Sequence, residues 1–276
     1  MKNSVFGRLV SLVSYTNRLI LVNVVLFVVF SIFISINPSY LKFIEINAQN
    51  FLFSGYLWTL FTSMFMHQGF FHLFVNMISL FFLGNLSEQI IGRKRFLHVY
   101  FLAGIVGALF FVFGAWFGNL VGLSSVFGGV GDFAAGASGA LFGLLGLLAV
   151  LIPKYRVYLV SGPIILIILE VILTPMLPSG IAEAISIVFT LLMFLSIFAM
   201  FSRNQRFRRL SVPVALPLWV APIVAIVPLV VISFFVSLPI GNTAHLGGLI
   251  MGLVYGIALR LKYPKKVAFL ERMFTR

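Results

Sequence analysis

Four polar residues lie inside otherwise apolar stretches of this 276-residue chain, and their types suit acyl-transfer chemistry. Ser138 and His245 each stand near the start of an apolar stretch, and His72 and Asn76 are one helical turn apart in a third stretch. A neutral imidazole can accept a proton from a serine hydroxyl near pH 7. A tetrahedral oxyanion needs fixed hydrogen-bond donors, which the Ser138 backbone N–H, His72 and Asn76 can supply.

Glycines accompany both the serine and the histidine. Gly136 and Gly139 flank the serine, where the lack of side chains would let a substrate backbone approach closely. Gly139 and Gly143 share one predicted helix, and Gly248 and Gly252 share another, in both cases at a spacing that permits tight packing of membrane helices. Such packing would bring the serine to the histidine.

The composition predicts an integral membrane protein. Hydrophobic residues make up 61% of the chain and charged residues 9%, whereas soluble domains carry about a quarter charged residues. The apolar stretches are about 16 to 23 residues long, enough to cross roughly 30 Å of hydrocarbon as helices. The predicted spans are Leu19–Ile36, Phe70–Ser87, Phe96–Phe117, Ala137–Ile152, Val157–Thr174, Ile181–Phe201, Val214–Val236 and Thr243–Leu261.

Charge placement predicts the orientation. Of the 19 lysines and arginines, all but Lys42 fall in alternate segments between the predicted spans, in the terminal segments or, for Arg260, at the end of the last predicted span. Because cytoplasmic segments are enriched in these residues, we expect both termini in the cytoplasm and an even number of spans, eight. The net charge of +13 therefore fits cytoplasmic loops better than a nucleic-acid partner.

This topology divides the chain into three parts: a cytoplasmic N-terminal segment (1–18), a membrane domain (19–261) and a basic cytoplasmic tail (262–276). The three helices that carry Ser138, His245 and the His72/Asn76 pair would all run from outside to inside. These side chains would then lie at a similar depth beneath the outer face.

Other site chemistries are less consistent with the sequence. The chain has no cysteine, which excludes disulfides, thiolate catalysis and cysteine metal ligands. Asp132 is the sole aspartate, whereas aspartyl proteases need two carboxylates that share a proton. A zinc site of His67, His72 and His245 is conceivable but leaves Asn76 and Ser138 unexplained. We therefore expect neither a metal nor a cofactor.

Taken together and in this order, the polar and glycine positions resemble the rhomboid family of intramembrane serine proteases. The similarity covers most of the chain except roughly residues 163–212. The matching positions are Trp58, Thr62, His67, His72, Asn76, Gly84, Glu88, Gly92, Gly136, Ala137, Ser138, Gly139, Ala244, His245, Gly248 and Gly252.

The resemblance implies a rhomboid-like all-α helical bundle in the cell membrane. Ser138 would attack the scissile carbonyl, His245 would accept its proton, and water would hydrolyse the acyl-enzyme. His72, Asn76 and the Ser138 amide would hold the oxyanion. Substrates would be membrane proteins cut in or near a transmembrane segment, at a site that opens toward the extracytoplasmic side. No carboxylate is placed to orient His245, so a Ser–His dyad is expected.

Three departures from the family pattern stand out. Thr59 follows the tryptophan where arginine is usual, which removes a cation from the outer loop. Phe142 stands where an aromatic residue, commonly tyrosine, supports the catalytic histidine; its ring can pack against His245 but has no hydroxyl. The family core has six spans, so we infer an inserted helical pair within about 163–212, with Val214–Val236 as the usual connecting helix.

Two alternatives belong to other functional classes. A rhomboid-like protein could bind or remodel membrane clients without cutting them, although such relatives typically lack the serine or the histidine and both are present here. A transporter is less consistent with the sequence, because there is no clear inverted repeat and there are few charges inside the spans.

Overall fold

The computed structural model describes residues 14–234 and 241–274. Residues 1–13 of the predicted N-terminal segment, the last two residues of the predicted span Val214–Val236 and residues 275–276 of the tail lie outside the described part. The chain divides into two compact units. The larger unit comprises the described residues up to Pro153 and from Pro222 onward, and the smaller unit is Lys154–Ala221.

Helices dominate both units. Among the described residues, five helices are long and apolar enough to cross a membrane, and three further apolar helices are shorter. The prediction of an all-α polytopic membrane protein is confirmed, whereas the number of eight spans stays a prediction. The longer helices, in chain order, are α1 (Tyr15–Ile36), α2 (Phe70–Ile91), α3 (Arg93–Val121), α4 (Ser138–Leu151), α5 (Ser161–Leu173), α6 (Ser179–Met200), α7 (Ala221–Ser233), α8 (Asn242–Lys262) and α9 (Pro264–Phe274).

Helix α2 is not uniform, because its α-helical ends flank a π-helical turn at Leu80–Gly84. The outer segment between α1 and α2 is broken into short pieces, as its irregular sequence predicts. The remaining short α- and 3₁₀-helical segments are Pro38–Tyr40, Leu41–Ile44, Ala48–Ser54, Thr59–Thr62, Ser63–Phe65, Ser124–Phe127, Thr174–Met176, Gln205–Arg208 and Arg209–Ser211.

The predicted starts of two spans are wrong, because the first residues of each form a β-strand rather than a helix. Arg156–Val160 (β1) pairs antiparallel with Pro213–Pro217 (β2), so that Val157 lies opposite Leu216. β-branched and aromatic residues favour extended backbone, and proline has no N–H to continue a helix. The helices predicted to begin at Val157 and Val214 therefore begin later, as α5 and α7.

In the smaller unit, α5 and α6 pack together and hydrogen bonds hold the turn after α6. Ser196 Oγ donates to the Leu210 carbonyl at 3.1 Å, and Ser161 Oγ donates to the Val212 carbonyl at 2.6 Å. A Cβ added at Gly162 would collide with Ser196 Oγ, so this glycine permits the close helix contact. The predicted inserted pair at 163–212 falls within this unit and stays a prediction.

The core of the larger unit is the packing of α3, α4 and α8. Lipid tails are as apolar as leucine, so membrane helices associate through close van der Waals packing, which small residues allow. Ala103 of α3 is fully buried, as are Leu144 and Leu147 of α4. A Cβ added at Gly143 of α4 would collide with the Ala103 methyl group. Backbone and small side chains therefore set the distance between these helices.

Glu88 fixes the start of α1 against α2. Its carboxylate accepts hydrogen bonds from the backbone N–H groups of Tyr15 and Thr16 at 3.0 and 2.9 Å, and from Thr16 Oγ1 at 2.9 Å. Arg93 pairs with the same carboxylate at 3.3 Å. The first N–H groups of a helix have no acceptor within the helix, so a carboxylate there satisfies them and complements the helix dipole.

Candidate active site

Ser138 is the first residue of α4. Gly136 has φ +128°, a left-handed conformation that favours glycine and separates the preceding loop from the helix. The Gly136 N–H donates to the Ser63 carbonyl at 2.8 Å. The backbone N–H of a first helical residue has no acceptor within its helix. The Ser138 amide is therefore suited to bind an anionic oxygen.

His245 lies in the first turn of α8 and is 9% exposed. Its Nε2 is 2.8 Å from Ser138 Oγ, although the two residues are 107 positions apart in the chain. At this distance the hydroxyl can donate to a neutral imidazole whose proton is on Nδ1. The two predicted partners are thus within proton-transfer reach.

Glycine contacts between α4 and α8 create this proximity. A Cβ added at Gly248 would collide with the Gly139 carbonyl oxygen, and one at Gly252 would collide with the Gly143 carbonyl oxygen. On the other side, a Cβ at Gly107 of α3 would lie 2.7 Å from the Ala244 carbonyl oxygen. The backbones of α4 and α8 touch where the sequence places its paired glycines.

An aromatic ring orients the imidazole. The Phe142 ring stacks on His245, with centroids 4.4 Å apart and an interplanar angle of 20°. His245 Nδ1 is buried and has no hydrogen-bond partner among the described residues. The position of the ring is therefore restrained by stacking against Phe142 and by its contact with Ser138.

His72 and Asn76 face the segment that precedes Ser138. A Cβ added at Gly136 would lie 2.8 Å from His72 Cε1, 2.9 Å from His72 Nε2 and 3.7 Å from Asn76 Nδ2. Asn76 is buried, and its Nδ2 donates to the His72 carbonyl at 3.0 Å. The predicted oxyanion residues on α2 therefore lie beside the loop that leads into Ser138 (residues 133–137), which we call the serine loop.

His67 contacts the last residue of the same loop. It is fully buried, its Nε2 accepts from the Ala137 N–H at 3.5 Å, and its ring meets the His72 ring edge-on at 5.1 Å. Burial, aided by His72, lowers the pKa of His67 to about 3. A neutral His67 can act as a hydrogen-bond acceptor for the backbone next to Ser138.

The residues considered for aspartyl-protease or zinc chemistry are not arranged for either. Asp132 Oδ2 accepts from the Gly129 N–H at 2.7 Å within its own turn. Across residues 14–234 and 241–274, no group of three or more potential metal ligands is close enough to hold an ion. The zinc interpretation of the histidines has no geometric support.

The outer segment is anchored although it lacks the usual arginine. Trp58 Nε1 donates to the Phe43 carbonyl at 2.9 Å, and Thr62 Oγ1 donates to the Ile44 carbonyl at 2.8 Å. Thr59 is buried and donates to the Tyr56 carbonyl at 2.6 Å. Neutral hydrogen bonds to backbone carbonyls therefore anchor this segment.

Sequence reasoning missed two residues near the serine loop, Glu45 and Gln68. Gln68 Nε2 donates to Glu45 Oε2 and to the Phe133 carbonyl, both at 3.2 Å. Glu45 is 2% exposed. A carboxylate within an apolar outer segment was the available signal, since a buried charge needs partners.

Comparison with known proteins gives matches to one family. A Rhomboid domain model matches residues 54–187 and 184–262. "Inactive RHOMBOID-like protein 8" of Arabidopsis thaliana is 48% identical over 56 residues, which are 20% of this chain and 16% of that protein. "RHOMBOID-like protein 1" of the same plant is 37% identical over 103 residues, 37% of this chain and 23% of the relative. "Rhomboid protein 1, mitochondrial" of Saccharomyces cerevisiae is 34% identical over 102 residues, 37% and 27% respectively.

The match to the family model takes in more than half of the chain, and it includes Ser138, His245, His72 and Asn76. The chain spans only about a sixth to a quarter of these three curated relatives, and one of them is named as inactive. These similarities establish the family and leave activity to be argued from the site. The chain is a multi-pass membrane protein that belongs to the rhomboid family.

Proposed function

We propose that this chain is an intramembrane serine endopeptidase that hydrolyses peptide bonds in or near transmembrane segments of other membrane proteins. The observation that carries the proposal is the 2.8 Å contact between Ser138 Oγ and His245 Nε2. A serine hydroxyl is a weak nucleophile unless a base takes its proton as it attacks. His245 is placed for that task, and burial next to Phe142 keeps bulk water away.

The first half of the reaction forms an acyl-enzyme. Ser138 Oγ attacks the scissile carbonyl carbon while its proton moves to His245 Nε2. The carbonyl oxygen becomes an oxyanion, which the Ser138 amide, His72 and Asn76 would stabilise. His245 then gives the proton to the leaving nitrogen, so that the peptide bond breaks and the new amine departs.

The second half restores the enzyme. A water molecule attacks the acyl carbonyl and passes its proton to His245 Nε2. The second tetrahedral intermediate collapses, and Ser138 Oγ leaves with the proton returned by His245. The products are a carboxylic acid and free Ser138, and no cofactor takes part.

The base would act without a carboxylate partner. Within the described residues His245 Nδ1 has no hydrogen-bond acceptor, which supports a Ser–His dyad. In a triad, a carboxylate fixes the imidazole tautomer and stabilises the imidazolium. Here stacking on Phe142 takes over the orienting part, and the face of an aromatic ring also attracts a cation.

The predicted topology places this reaction at the extracytoplasmic side of the cell membrane. Both termini would be cytoplasmic, with the 1–18 and 262–276 segments inside and the membrane domain at 19–261. Substrates would then be membrane proteins whose transmembrane segments reach the site from the lipid bilayer. The helical pair within 163–212 would be an insertion into the six-helix core.

A second candidate is a rhomboid-like protein that binds or remodels membrane clients without cutting them. The similarity to a relative named as inactive favours it. The presence and contact of Ser138 and His245 favour cleavage. A client-binding protein would have no need of an activated hydroxyl, so the reactivity of Ser138 discriminates between the two.

A fluorophosphonate probe measures that reactivity directly, because it phosphonylates activated serines. Purified wild-type protein should be labelled, whereas Ser138→Ala and His245→Ala should not be. Ser233→Ala is the matched control, since Ser233 is a buried helical serine whose Oγ donates to the Val230 carbonyl of its own helix. Equal labelling of wild type and Ser138→Ala would exclude Ser138 as the nucleophile.

A further inference from the structure

The loop that leads into Ser138 is pinned to the outer segment by backbone hydrogen bonds. Ile46 and Ala134 exchange two of them, at 3.1 and 2.8 Å, and the Gln49 N–H donates to the Val130 carbonyl at 3.0 Å. Ile46 and Ala134 also belong to one apolar cluster with Phe111 of α3. Any displacement of the outer segment would therefore move the loop.

One side chain strengthens this connection, because it bonds to both segments. An amide nitrogen carries two hydrogens, and those of Gln68 reach Glu45 Oε2 and the Phe133 carbonyl, each at 3.2 Å. Gln68 directly follows His67, which accepts from the Ala137 N–H. The backbone from Phe133 to Ala137 is thus held from two adjacent positions of one segment.

Glu45 makes this arrangement unusual for an apolar segment. It is 2% exposed, and a buried carboxylate that lacks partners is strongly destabilising. Among the described residues, Gln68 supplies the side-chain hydrogen bond that its carboxylate receives. Because apolar packing against Ile46 could be had without a carboxylate, the burial of Glu45 points to a role that uses its hydrogen bond.

We infer that Gln68 and Glu45 are positioning residues, which hold the Phe133–Ala137 loop so that Ser138 stays in reach of His245. This inference rests on the proposed function for its effect on reactivity, and on geometry alone for its effect on the loop. Neither residue touches the reacting atoms. They act through Phe133 and the backbone that follows it.

The hydrogen bonds of Gln68 to Glu45 and to the Phe133 carbonyl form a bridge between the outer segment and the loop before Ser138. The charged groups near this bridge indicate which of them would make it depend on pH. Lys42, on the same outer segment, is exposed and lies over the Phe43 ring. His67, with a pKa of about 3, is neutral near pH 7, and the Asp132 carboxylate is bonded to Gly129. Burial raises the pKa of Glu45, and the bond from Gln68 partly opposes that rise. Glu45 is therefore the group expected to titrate within the bridge.

The first test compares Gln68→Ala with Gln49→Ala. Gln49 is exposed in the same outer segment, and its side chain makes no hydrogen bond within the described residues. The fluorophosphonate labelling rate of Gln68→Ala should fall about fivefold, the factor expected for one net hydrogen bond, and Gln49→Ala should match wild type. Equal rates for Gln68→Ala and wild type would overturn the inference.

Hydrogen exchange of the loop gives a readout that needs no activity. In the intact 276-residue chain, peptides covering residues 130–137 should exchange faster in Gln68→Ala than in Gln49→Ala, while peptides from α3 stay unchanged. Unchanged exchange of the loop would overturn the inference. If wild type is not labelled at all, the proposed function fails, but this measurement still decides whether Gln68 holds the loop.

A pH profile separates positioning from a merely structural role. Above its pKa, charged Glu45 accepts a charge-assisted bond, and below its pKa the bond joins neutral groups and is weaker. The labelling rate of wild type divided by that of Glu45→Gln should therefore fall toward one as the pH drops through the pKa of Glu45. Titration of His245 affects both proteins and cancels in the ratio. A ratio that does not vary with pH would contradict the role of Glu45.

Discussion

At the scale of single residues, the site depends on how an imidazole is kept in place without a carboxylate. His245 is stacked on Phe142 at 4.4 Å and contacts Ser138 at 2.8 Å. Stacking fixes the plane of the ring, whereas a carboxylate would also fix its tautomer. Removing the Phe142 ring should therefore lower turnover by more than the loss of its buried apolar area alone would.

Substituting the ring tests this view. In Phe142→Ala, loss of the stacking contact should lower the cleavage rate about fivefold, because aromatic pairs contribute about 1 kcal/mol beyond burial. Phe142→Tyr keeps the ring and should retain at least the wild-type rate. Cleavage of a single-span substrate by purified variants measures both. An unchanged rate in Phe142→Ala would show that His245 is oriented by other contacts.

Asn76 should matter to the transition state more than to folding. Loss of one oxyanion donor typically costs about a hundredfold in turnover, so Asn76→Ala should lose activity on that scale. Asn85→Ala is the matched control, because Asn85 Nδ2 also donates to the carbonyl one turn back in α2, at 2.7 Å, but the residue is only half-buried. Thermal unfolding of both variants shows whether they fold. An equal fall in activity for both would make Asn76 a structural residue.

Residue type alone identified some of the site positions in the sequence but not others. Ser138, His245, His72 and Asn76 stand out because polar groups are rare inside apolar spans. Glu45 and Gln68 lie between spans, where polar residues are ordinary. The carboxylate of Glu45 in an apolar segment was the one local signal, whereas the hydrogen bonds of Gln68 to Glu45 and to the Phe133 carbonyl are tertiary contacts that no local pattern encodes.

At the scale of elements, the contact of α4 with α8 decides whether the site forms. The glycine spacing predicted close packing, and the Gly139 and Gly143 carbonyls do lie against Gly248 and Gly252. A methyl group at these positions would separate the backbones. Because Ser138 directly precedes Gly139 and His245 lies one turn before Gly248, even a small separation would lengthen their 2.8 Å hydrogen bond.

Gly248→Ala should therefore impair both stability and activity. The added methyl group would overlap the Gly139 carbonyl, and overpacking of this kind costs about 1 to 3 kcal/mol. We expect a lower unfolding temperature and slower cleavage. Gly180→Ala is the control, since a Cβ at that helical glycine would meet nothing within 4 Å beyond its chain neighbours and the backbone of its own helix. Identical melting of Gly248→Ala and wild type would contradict the packing argument.

The element bounds were predictable where hydropathy alone decides them. The last spans of both units, Ile181–Phe201 and Thr243–Leu261, differ from α6 and α8 by one or two residues at each end. The strands were not predictable, because the sequences of Val157–Val160 and Val214–Leu216 are apolar and fit a helix equally well. Only their pairing, across more than fifty residues of chain, gives them extended structure.

At the scale of the whole molecule, family and membrane fold were predictable from the sequence, and both are confirmed. Long apolar helices follow from composition, and the family follows from the order of its motif residues. Orientation in the membrane is a separate prediction. The placement of lysine and arginine is its basis.

The chain offers a direct test of orientation because it contains no cysteine. Single cysteines at the exposed positions Gln49 and Arg206 would lie on opposite faces in the predicted topology. A membrane-impermeant maleimide applied to intact cells should label Gln49→Cys, and it should label Arg206→Cys only after permeabilisation. The reverse pattern would place the site on the cytoplasmic side.

Cleavage by the purified protein in liposomes tests the central claim most directly. Wild type and Ser138→Ala would be reconstituted with a panel of single-span membrane proteins, and mass spectrometry would locate any cut. We predict that wild type cuts at least one substrate within or beside its transmembrane segment and that Ser138→Ala cuts none. Cleavage at the same bond by folded Ser138→Ala, or none by wild type across the panel, would contradict the account.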